Sequence, residues 1–397
     1  MIELSLYTHI FSREDRYFLY NSQHNLFAEI PKDLYKILYN HDFGKLQQED
    51  LEDFCNKGIL TDNSKKYLFY HESHIKFNAS SYNTSELRLI IVPTTGCNFD
   101  CPYCFEGQKT HKTITPKIED DLIEFINSHK LAKKLHITWY GGEPLLAFHQ
   151  IKSIYNKIKA KTTLKITSHH IITNGSLIND EIIKFFDDTN LSHIQITLDG
   201  EEHTHNKSRH LKNTHEPTFQ TILHNIQRLL DVLTKCDICI RVNIDKSNID
   251  DFINIYTDVC TRFPNKNLTI YPGFIRTDTD DGCALCYDVL DNDGIFKFFK
   301  HANQNNVNVN FMPRKVNSKG CMANHINSYI IGPSGEIYKC WNDVNHSDKI
   351  IGYINEREFS NRNLFCQYRT HSEMINAKTA CNFLFAAGDV AGIVCVI

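Results

Sequence analysis

The sequence predicts an α/β fold: a partial (β/α)6 TIM-like barrel, preceded by a small α+β unit and followed by a cysteine-bearing domain. Two observations support this prediction. From about residue 86 onward, short apolar runs alternate with amphipathic stretches, which is the pattern of strands and helices in βαβ units. The chain also has 397 residues, of which 41% are hydrophobic and 23% charged, values typical of a folded protein with more than one domain.

The first 84 residues are predicted to form the small α+β unit. Two short alternating segments, at 17–20 and 26–30, are separated by turn-forming residues and predict a hairpin. Helix patterns at 32–39 and 47–57 follow, and the second stops before Gly58, a residue typical of a helix C-terminus.

Residues 85–300 are predicted to form the barrel. Its strands are LRLIIVP (87–93), LHITWY (135–140), HHIITN (169–174), IQITLD (194–199), ICIRVNI (238–244) and LTIYPGFI (268–275). Its helices are expected near 117–132, 148–160, 179–188, 218–234 and 248–262. Because such barrels carry their chemistry at the C-terminal ends of the strands, we expect the functional residues there.

Charge and composition exclude several classes of protein. Lys and Arg number 43 and Asp and Glu 47, giving a net charge of −4, so no basic excess is available to bind nucleic acid. No apolar run is long enough to span a membrane, and the N-terminus lacks the features of a secretory signal. We therefore expect a cytoplasmic protein, in which clustered cysteines bind metal or take part in catalysis.

A cysteine loop, TTGCNFDCPYCFE, follows the first barrel strand. Cys97, Cys101 and Cys104 have the spacing C-x3-C-x2-C. Three thiolates on one loop can hold three irons of a 4Fe-4S cube and leave the fourth iron open to another ligand. The alternatives are reduced structural cysteines or a zinc loop, although structural zinc needs a fourth protein ligand and no His or Cys stands beside this loop.

The second strand ends in WYGGEPLL. Paired glycines allow the backbone to approach a ligand closely, and Glu143 can accept a hydrogen bond from an amine. An ordinary turn after a strand is the alternative.

In their order along the chain, the motifs at the strand ends resemble those of the radical SAM superfamily over about residues 85–280. They are Cys97, Cys101 and Cys104 with Tyr103 before the last cysteine; Gly141, Gly142, Glu143 and Pro144; Thr173, Asn174 and Gly175; and Leu198, Asp199 and Gly200, followed by His205 and Arg209.

This resemblance implies a 4Fe-4S cluster whose open iron chelates the amino and carboxylate groups of S-adenosyl-L-methionine (SAM). It implies that Tyr103 and the GGEP segment contribute to cofactor binding. Thr197 stands where the family has Ser, and it is expected to contribute a hydroxyl contact. Arg209 is expected to pair with the SAM carboxylate, with a structural salt bridge as the alternative.

The resemblance also implies the chemistry. A donor such as flavodoxin or ferredoxin reduces the cluster, SAM is cleaved, and a 5′-deoxyadenosyl radical abstracts a hydrogen atom from the substrate. Because oxygen would destroy the cluster, the enzyme is expected to work anaerobically.

The region 301–397 resembles a SPASM domain, the auxiliary-cluster extension of peptide-modifying radical SAM enzymes. Cys321, then GEIYKC ending at Cys340, and later Cys381 are its expected ligands for one or two auxiliary 4Fe-4S clusters. Gly335 permits the hairpin turn before Cys340. A zinc ribbon is the alternative, because paired cysteines on hairpins commonly bind zinc.

The SPASM-like domain is expected to be truncated by a frameshift after about residue 382. Such domains continue with further cysteines in a segment like CxxLPLCGGGC, whereas this chain reads CNFLFAAGDVAGI from Cys381. A shifted reading of the codons from Asn382 permits LPLCGGGC. The expectation is a competent SAM-binding cluster, an incomplete auxiliary site, and little or no peptide product.

The function implied by the resemblance is that of a maturase that installs a thioether, a carbon–carbon crosslink or a similar modification in a ribosomally made peptide. Residues 1–84 then resemble a leader-peptide recognition element, with a structural cap over the barrel as the alternative. Two rival functions remain: an anaerobic sulfatase-maturing enzyme that forms formylglycine, and an inactive peptide-binding partner with the same fold.

Overall fold

The computed structural model describes residues 1–104, 111–264, 267–275, 289–307, 309 and 320–370. The chain divides into two compact units. The first contains Met1–Tyr82 together with 320–325, and the second contains Asn83–Val309 and Ile326–Arg369. In the described part of the chain, every helix is too short or too polar to cross a membrane.

In its described residues, the first unit combines short strands with three α-helices. Its elements are β1 (Ile2–Leu4), β2 (Thr8–Arg13), β3 (Arg16–Asn21), β4 (Leu26–Ile30), α1 (Lys32–Tyr39), α2 (Gln48–Asn56), β5 (Leu60–Asp62) and α3 (Leu68–Ser81). Strands β2, β3 and β4 form an antiparallel sheet in that order, and β1 pairs with β5. The predicted hairpin and both predicted helices are confirmed, and Gly58 has the positive φ of +66° that suits a residue just past a helix.

The second unit contains the barrel strands and their helices. In chain order these are β6 (Glu86–Ile91), α4 (Pro116–Ser128), β7 (Lys134–Trp139), α5 (Phe148–Lys161), β8 (Lys165–Thr173), α6 (Asp180–Asp188), β9 (His193–Thr197), α7 (Glu202–Ser208), α8 (Phe219–Val232), β10 (Asp237–Ile244), α9 (Ile249–Arg262), β11 (Leu268–Phe274) and α10 (Asn292–Gln304). They are followed by β12 (Ser328–Ile331), β13 (Glu336–Tyr338), β14 (Gly352–Tyr353) and α11 (Arg362–Thr370). All six predicted barrel strands and all five predicted helices are present.

Within the described ranges, the sheet of the second unit has nine strands in the order β11-β10-β9-β8-β7-β6-β12-β13-β14. Strands β6 to β11 are parallel neighbours, which confirms the predicted α/β class and parallel sheet. Strand β12 pairs parallel with β6, and β13 and β14 continue antiparallel. Part of the region predicted as a third domain therefore extends the barrel sheet, and the division of the chain into three domains stays a prediction.

The two faces of the barrel strands differ in polarity. On β10, the buried Ile238, Ile240 and Val242 belong to one apolar core that includes residues of the surrounding helices. Residues between them, such as Arg241, are only half-buried. Because side chains alternate across a strand, these polar residues lie on the face opposite the helices, which is the interior of the partial barrel.

Candidate functional site

The three cysteines of the motif lie on one short loop after β6. Cys97 is buried, and Cys101 and Cys104 are partly exposed. The amide of Phe99 donates to Cys97 Sγ at 3.4 Å, and the amide of Cys104 donates to the Cys101 carbonyl at 3.1 Å. None of the ten described cysteines is in a disulfide bond. The loop therefore presents three thiols at the strand end, where the sequence predicted them.

Backbone contacts join the glycine pair to the cysteine loop. A Cβ atom on Gly142 would lie 2.3 Å from the Gly96 carbonyl oxygen, and one on Gly141 would lie 2.4 Å from the Thr94 carbonyl oxygen. The amide of Glu143 donates to the Gly96 carbonyl at 2.8 Å. Any larger residue at 141 or 142 would push the two loops apart, so the glycines are needed for this close approach.

The Glu143 side chain is fully buried and ties its own loop to the TNG segment. Its Oε1 accepts from Thr173 Oγ1 at 2.7 Å and from the Leu145 amide at 3.0 Å, and its Oε2 accepts from the Asn174 amide at 2.7 Å. Burial raises the pKa of this carboxyl, and the three hydrogen bonds oppose that rise. Pro144, also buried, begins the short 3-10 turn Pro144–Ala147. The expected amine acceptor therefore already has three donors within the chain.

The TNG segment after β8 also contacts the cysteine loop. Asn174 Nδ2 donates to Asn98 Oδ1 at 2.8 Å, and Asn98 Nδ2 donates to Ser176 Oγ at 3.0 Å. Asn98 stands directly after Cys97. The predicted motifs at the ends of β6, β7 and β8 thus come together around the cysteines.

Tyr103 reaches the motifs at the ends of β9 and β10. Its hydroxyl donates to Asp199 Oδ2, and it accepts from Arg209 NH1 at 2.7 Å and from Asn243 Nδ2 at 3.4 Å. The guanidinium lies 3.9 Å from the Asp199 carboxylate. Burial raises the pKa of Asp199, an effect opposed chiefly by Arg209. The structural salt bridge considered for Arg209 is therefore present.

His205 contributes to the same cluster, although no role was predicted for it. Its side chain is fully buried, with Nδ1 accepting from the Asp199 amide at 3.2 Å and Nε2 lying 3.1 Å from Thr218 Oγ1. Thr218 Oγ1 in turn donates to the Arg209 carbonyl at 2.6 Å. Burial lowers the pKa of His205, which keeps the ring neutral. Thr197 is the last residue of β9 and is buried, and it stands two residues before Asp199 in the sequence.

The donor set fits a cluster with an anionic ligand. Burial lowers the pKa of Arg209, but the nearby Cys101, Tyr103 and Asp199 together raise it above its ordinary value. Its Nε is buried and has no hydrogen-bond acceptor among the described residues, so it can donate to a bound carboxylate. Across the described ranges, no three His, Cys, Asp or Glu side chains could hold a single metal ion. In an iron–sulfur cube, by contrast, each thiolate binds a different iron.

The structure does not test the expected auxiliary ligands as one site. Cys321 belongs to the first unit, where it begins the turn Met322–Asn324, and Cys340 belongs to the second unit, where it begins the turn Trp341–Asp343. Gly335 has a φ of +90° in the hairpin between β12 and β13, as predicted. Cys381 and the region of the expected frameshift lie outside the described residues. The auxiliary site stays a prediction.

Comparison with known proteins agrees with this geometry. Residues 91–259 match the radical SAM superfamily. The radical SAM cyclopropyl synthase TigE of Paramaledivibacter caminithermalis is 27% identical over 272 residues, which are 55% of this chain and 57% of TigE. The serine-type anaerobic sulfatase-maturating enzyme of Bacteroides thetaiotaomicron is 28% identical over 145 residues, 34% of each chain. The chain spans about half the length of TigE and less of the other.

Two solved structures share the fold. Native anSMEcpe with bound AdoMet has a TM-score of 0.55 at 16% identity, covering 74% of this chain and 88% of its own. Streptococcus suis SuiB bound to precursor peptide SuiA also has a TM-score of 0.55, at 15% identity, covering 97% of this chain and 94% of its own. At these identities the likeness establishes the fold. The cysteine loop, the strand-end motifs and the match over residues 91–259 together show that this part of the chain is a radical SAM domain, a type of domain that uses a 4Fe-4S cluster and SAM.

Proposed function

We propose that this chain cleaves SAM reductively and uses the resulting radical to modify a ribosomally made precursor peptide. The observation that carries the proposal is the position of the cysteine loop. Hydrogen bonds from the GGEP and TNG segments hold this loop beside the Arg209 guanidinium. The Nε of Arg209 has no acceptor among the described residues. The structure of SuiB with its precursor peptide supports a peptide substrate.

Each part of the site then has a separate task. Cys97, Cys101 and Cys104 would hold the cluster, and Arg209 would bind a carboxylate through Nε. The bound cluster and SAM supply the one-electron chemistry that removes a hydrogen atom from the substrate. Glu143 fixes the GGEP backbone against the TNG segment, and Asp199 with His205 fixes Tyr103 and Arg209.

The first unit would bind the leader of the precursor peptide. Strands β2 and β4 each pair with β3 alone among the described strands, so each has one side without a described strand partner. A peptide that adds to such an edge gains main-chain hydrogen bonds. A structural cap over the barrel is the alternative role of this unit.

The remaining partners follow from the same proposal. The enzyme would act in an anaerobic cytoplasm and receive electrons from a flavodoxin or ferredoxin, with no nucleic acid or membrane partner. Cys321, Cys340 and Cys381 would bind an auxiliary cluster in a SPASM-like region.

A second candidate function is the oxidation of a Cys or Ser side chain to formylglycine. Serine-type and cysteine-type anaerobic sulfatase-maturating enzymes are both among the relatives, at 28% identity over 145 and 187 residues. Sulfatase peptides and precursor peptides encoded beside the gene, offered separately to the reconstituted enzyme, distinguish the two functions by the mass of the product.

SAM cleavage tests the cluster assignment. The anaerobically reconstituted chain should convert SAM to 5′-deoxyadenosine under reduction, and Cys97→Ala, Cys101→Ala or Cys104→Ala should each abolish this, because each removes one of three anchors. Cys260→Ala is the matched control, since Cys260 is an exposed cysteine on α9, and it should cleave SAM at the parent rate. A motif variant that also keeps the parent rate would refute the assignment.

A further inference from the structure

Arg241 is a half-buried cation in the interior of the partial barrel. Its Nε donates to Asn243 Oδ1 at 2.9 Å. Among the described residues, no carboxylate lies within ion-pair distance of its guanidinium, whereas Arg209 lies 3.9 Å from Asp199. Keeping a charge partly out of water without a counterion costs free energy, so such a group favours an anionic ligand.

Arg241 lies beside residues that the sequence predicts to bind SAM, and its contacts to them run through Asn243. In the sheet register, Arg241 pairs with Thr197 on β9 and with Tyr271 on β11. Its partner Asn243 donates its amide to Asp199 Oδ1 at 3.2 Å and its side chain to the Tyr103 hydroxyl at 3.4 Å. One residue therefore separates Arg241 from the cluster that fixes Arg209.

Gly273 on β11 makes room for the guanidinium. A Cβ atom at this position would lie 2.5 Å from Arg241 Nε and 2.8 Å from Cζ. The guanidinium therefore lies against the backbone of β11, held on one side by this strand and on another by Asn243. A pre-positioned guanidinium loses less freedom on binding a ligand than a mobile one does.

Two side chains beside Arg241 on this face, Tyr271 and Gln195, are neutral and can form hydrogen bonds, whereas the Asp199 carboxylate interacts with Arg241 only over a longer distance. Tyr271 donates its hydroxyl to Gln195 Oε1 at 2.8 Å. Burial raises the pKa of Tyr271, while Arg241 lowers it, so the hydroxyl stays protonated at neutral pH. An amide, a phenol and a guanidinium together suit a carboxylate, because all three types of group can donate hydrogen bonds to it.

We propose that Arg241 binds a carboxylate, and that this carboxylate belongs to an Asp or Glu side chain of the peptide at or beside the modified residue rather than to SAM. The SAM carboxylate is left to Arg209, whose buried Nε has no acceptor among the described residues. The proposal rests on the proposed function, since it assumes that a peptide enters the barrel.

Short peptides that differ in one side chain test this directly. The probes are acetyl-Ala-Ala-Xaa-Ala-Ala-amide with Asp, Glu, Asn or Gln at Xaa, and their binding to the reconstituted, SAM-loaded chain is measured by saturation-transfer NMR. The Asp or Glu peptide should bind at least about tenfold more tightly than its amide counterpart, because a charged hydrogen-bonded pair in a partly desolvated site is worth that much or more.

Variants test whether Arg241 causes the preference for acidic peptides. Arg241→Gln should remove it, and Arg241→Lys should keep part of it, because lysine retains the charge but not the fork of donors. Gly273→Ala should weaken it by displacing the guanidinium. The matched control is Arg88→Gln on the same sheet face: Arg88 already pairs with Glu86 at 2.8 Å, and this variant should keep the full preference. Far-UV circular dichroism checks that each variant is folded.

Two results would overturn the proposal. One is equal binding of the acidic and amide peptides by the parent chain. The other is an Arg241→Gln variant that keeps the acidic preference while its KM for SAM rises by about tenfold or more, which would assign Arg241 to the SAM carboxylate. Loss of SAM cleavage by the parent chain counts against the proposed function instead, because the binding measurement does not depend on turnover.

Discussion

Glu143 shows how a residue of a binding motif can act mainly on the loop that carries it. Its carboxylate receives hydrogen bonds from Leu145, Thr173 and Asn174, and it is fully buried. The motif alone indicates a ligand contact. The two donors from the TNG segment become visible only when β7 and β8 are placed side by side, as the structure places them.

The stability of the chain should depend on pH through Glu143. Burial raises its pKa in the folded state above the ordinary value of 4.5, so the folded chain binds more protons there than the unfolded chain does. Its contribution to stability is therefore full below pH 4.5 and is lost as the pH rises through the raised pKa. Relative to Glu143→Gln, the parent chain should lose thermal stability across that rise, as measured by anaerobic thermal melts.

Glu143→Gln should itself be destabilised, by about 1–3 kcal/mol. Both carboxylate oxygens of Glu143 accept hydrogen bonds, and in the variant the NH2 group replaces one of them and faces a donor. Lys152→Gln, which changes an exposed residue paired with Glu181, is the control and should melt like the parent. A parallel pH dependence of the parent and Glu143→Gln would show that Glu143 does not carry the effect.

At the scale of elements, the sequence is informative where the pattern of apolar residues is regular. The strands of the barrel were found because each has closely spaced Ile, Leu or Val residues within a short segment, and α4 to α6 because their apolar residues form one stripe. Helix α3 was missed because its aromatic and apolar residues, such as Phe69, Ile75 and Phe77, do not form a single stripe. Strand β2 mixes Thr, His, Ile and Phe, so its identity depends on pairing with β3 rather than on its own pattern.

The same distinction applies to the candidate site. Cys97, Cys101 and Cys104 were found from local spacing, which is visible in one segment of sequence. The contacts of Tyr103 with Asp199 and Asn243 join residues 96 and 140 positions apart, and no local pattern encodes them. Arg241 was missed for the same reason, because its lack of a carboxylate partner is a property of the folded neighbourhood.

Removing the sheet of the first unit tests its role as an element. Deleting residues 1–66 takes away β1 to β5, α1 and α2 but keeps α3, whose Phe77 lies against Gly320 within this unit. The core of the first unit, around Leu19 and Leu38, is separate from that of the barrel. We expect binding of the precursor peptide to weaken by about tenfold or more, because the edge strands are lost. Uncoupled 5′-deoxyadenosine formation should remain within about threefold of the parent.

Fluorescence anisotropy of labelled precursor peptides encoded beside the gene measures the first quantity, and chromatography of 5′-deoxyadenosine measures the second. A deletion that abolishes both would favour the structural-cap role. A deletion that changes neither would contradict the leader-binding proposal.

At the scale of the whole molecule, the core of the sheet does not depend on the iron–sulfur cluster. The largest apolar cluster joins fully buried residues of the barrel strands, such as Leu89, Ile137, Ile194 and Ile240, with those of the helices. The cysteines lie on a loop beyond the strand ends, where Cys97 is one member of this large core and Cys101 packs against it. Removing iron with a chelator should therefore abolish SAM cleavage and leave the far-UV circular dichroism spectrum nearly unchanged, unlike in small zinc domains that unfold without metal. A cooperative loss of helix signal on chelation would contradict this.

The pairing of β6 with β12 means that one edge of β6 stays unpaired until late in synthesis. Arg88 faces Ser328 in this parallel pair, a separation of 328 − 88 = 240 residues. At a synthesis rate of about 5–20 residues per second, between about 12 and 48 s pass after β6 is made before its second neighbour exists. Throughout that time β6 is an edge strand of a buried, apolar type, the kind that templates aggregation. We therefore expect the nascent chain to be prone to aggregation over the whole interval in which the barrel is built.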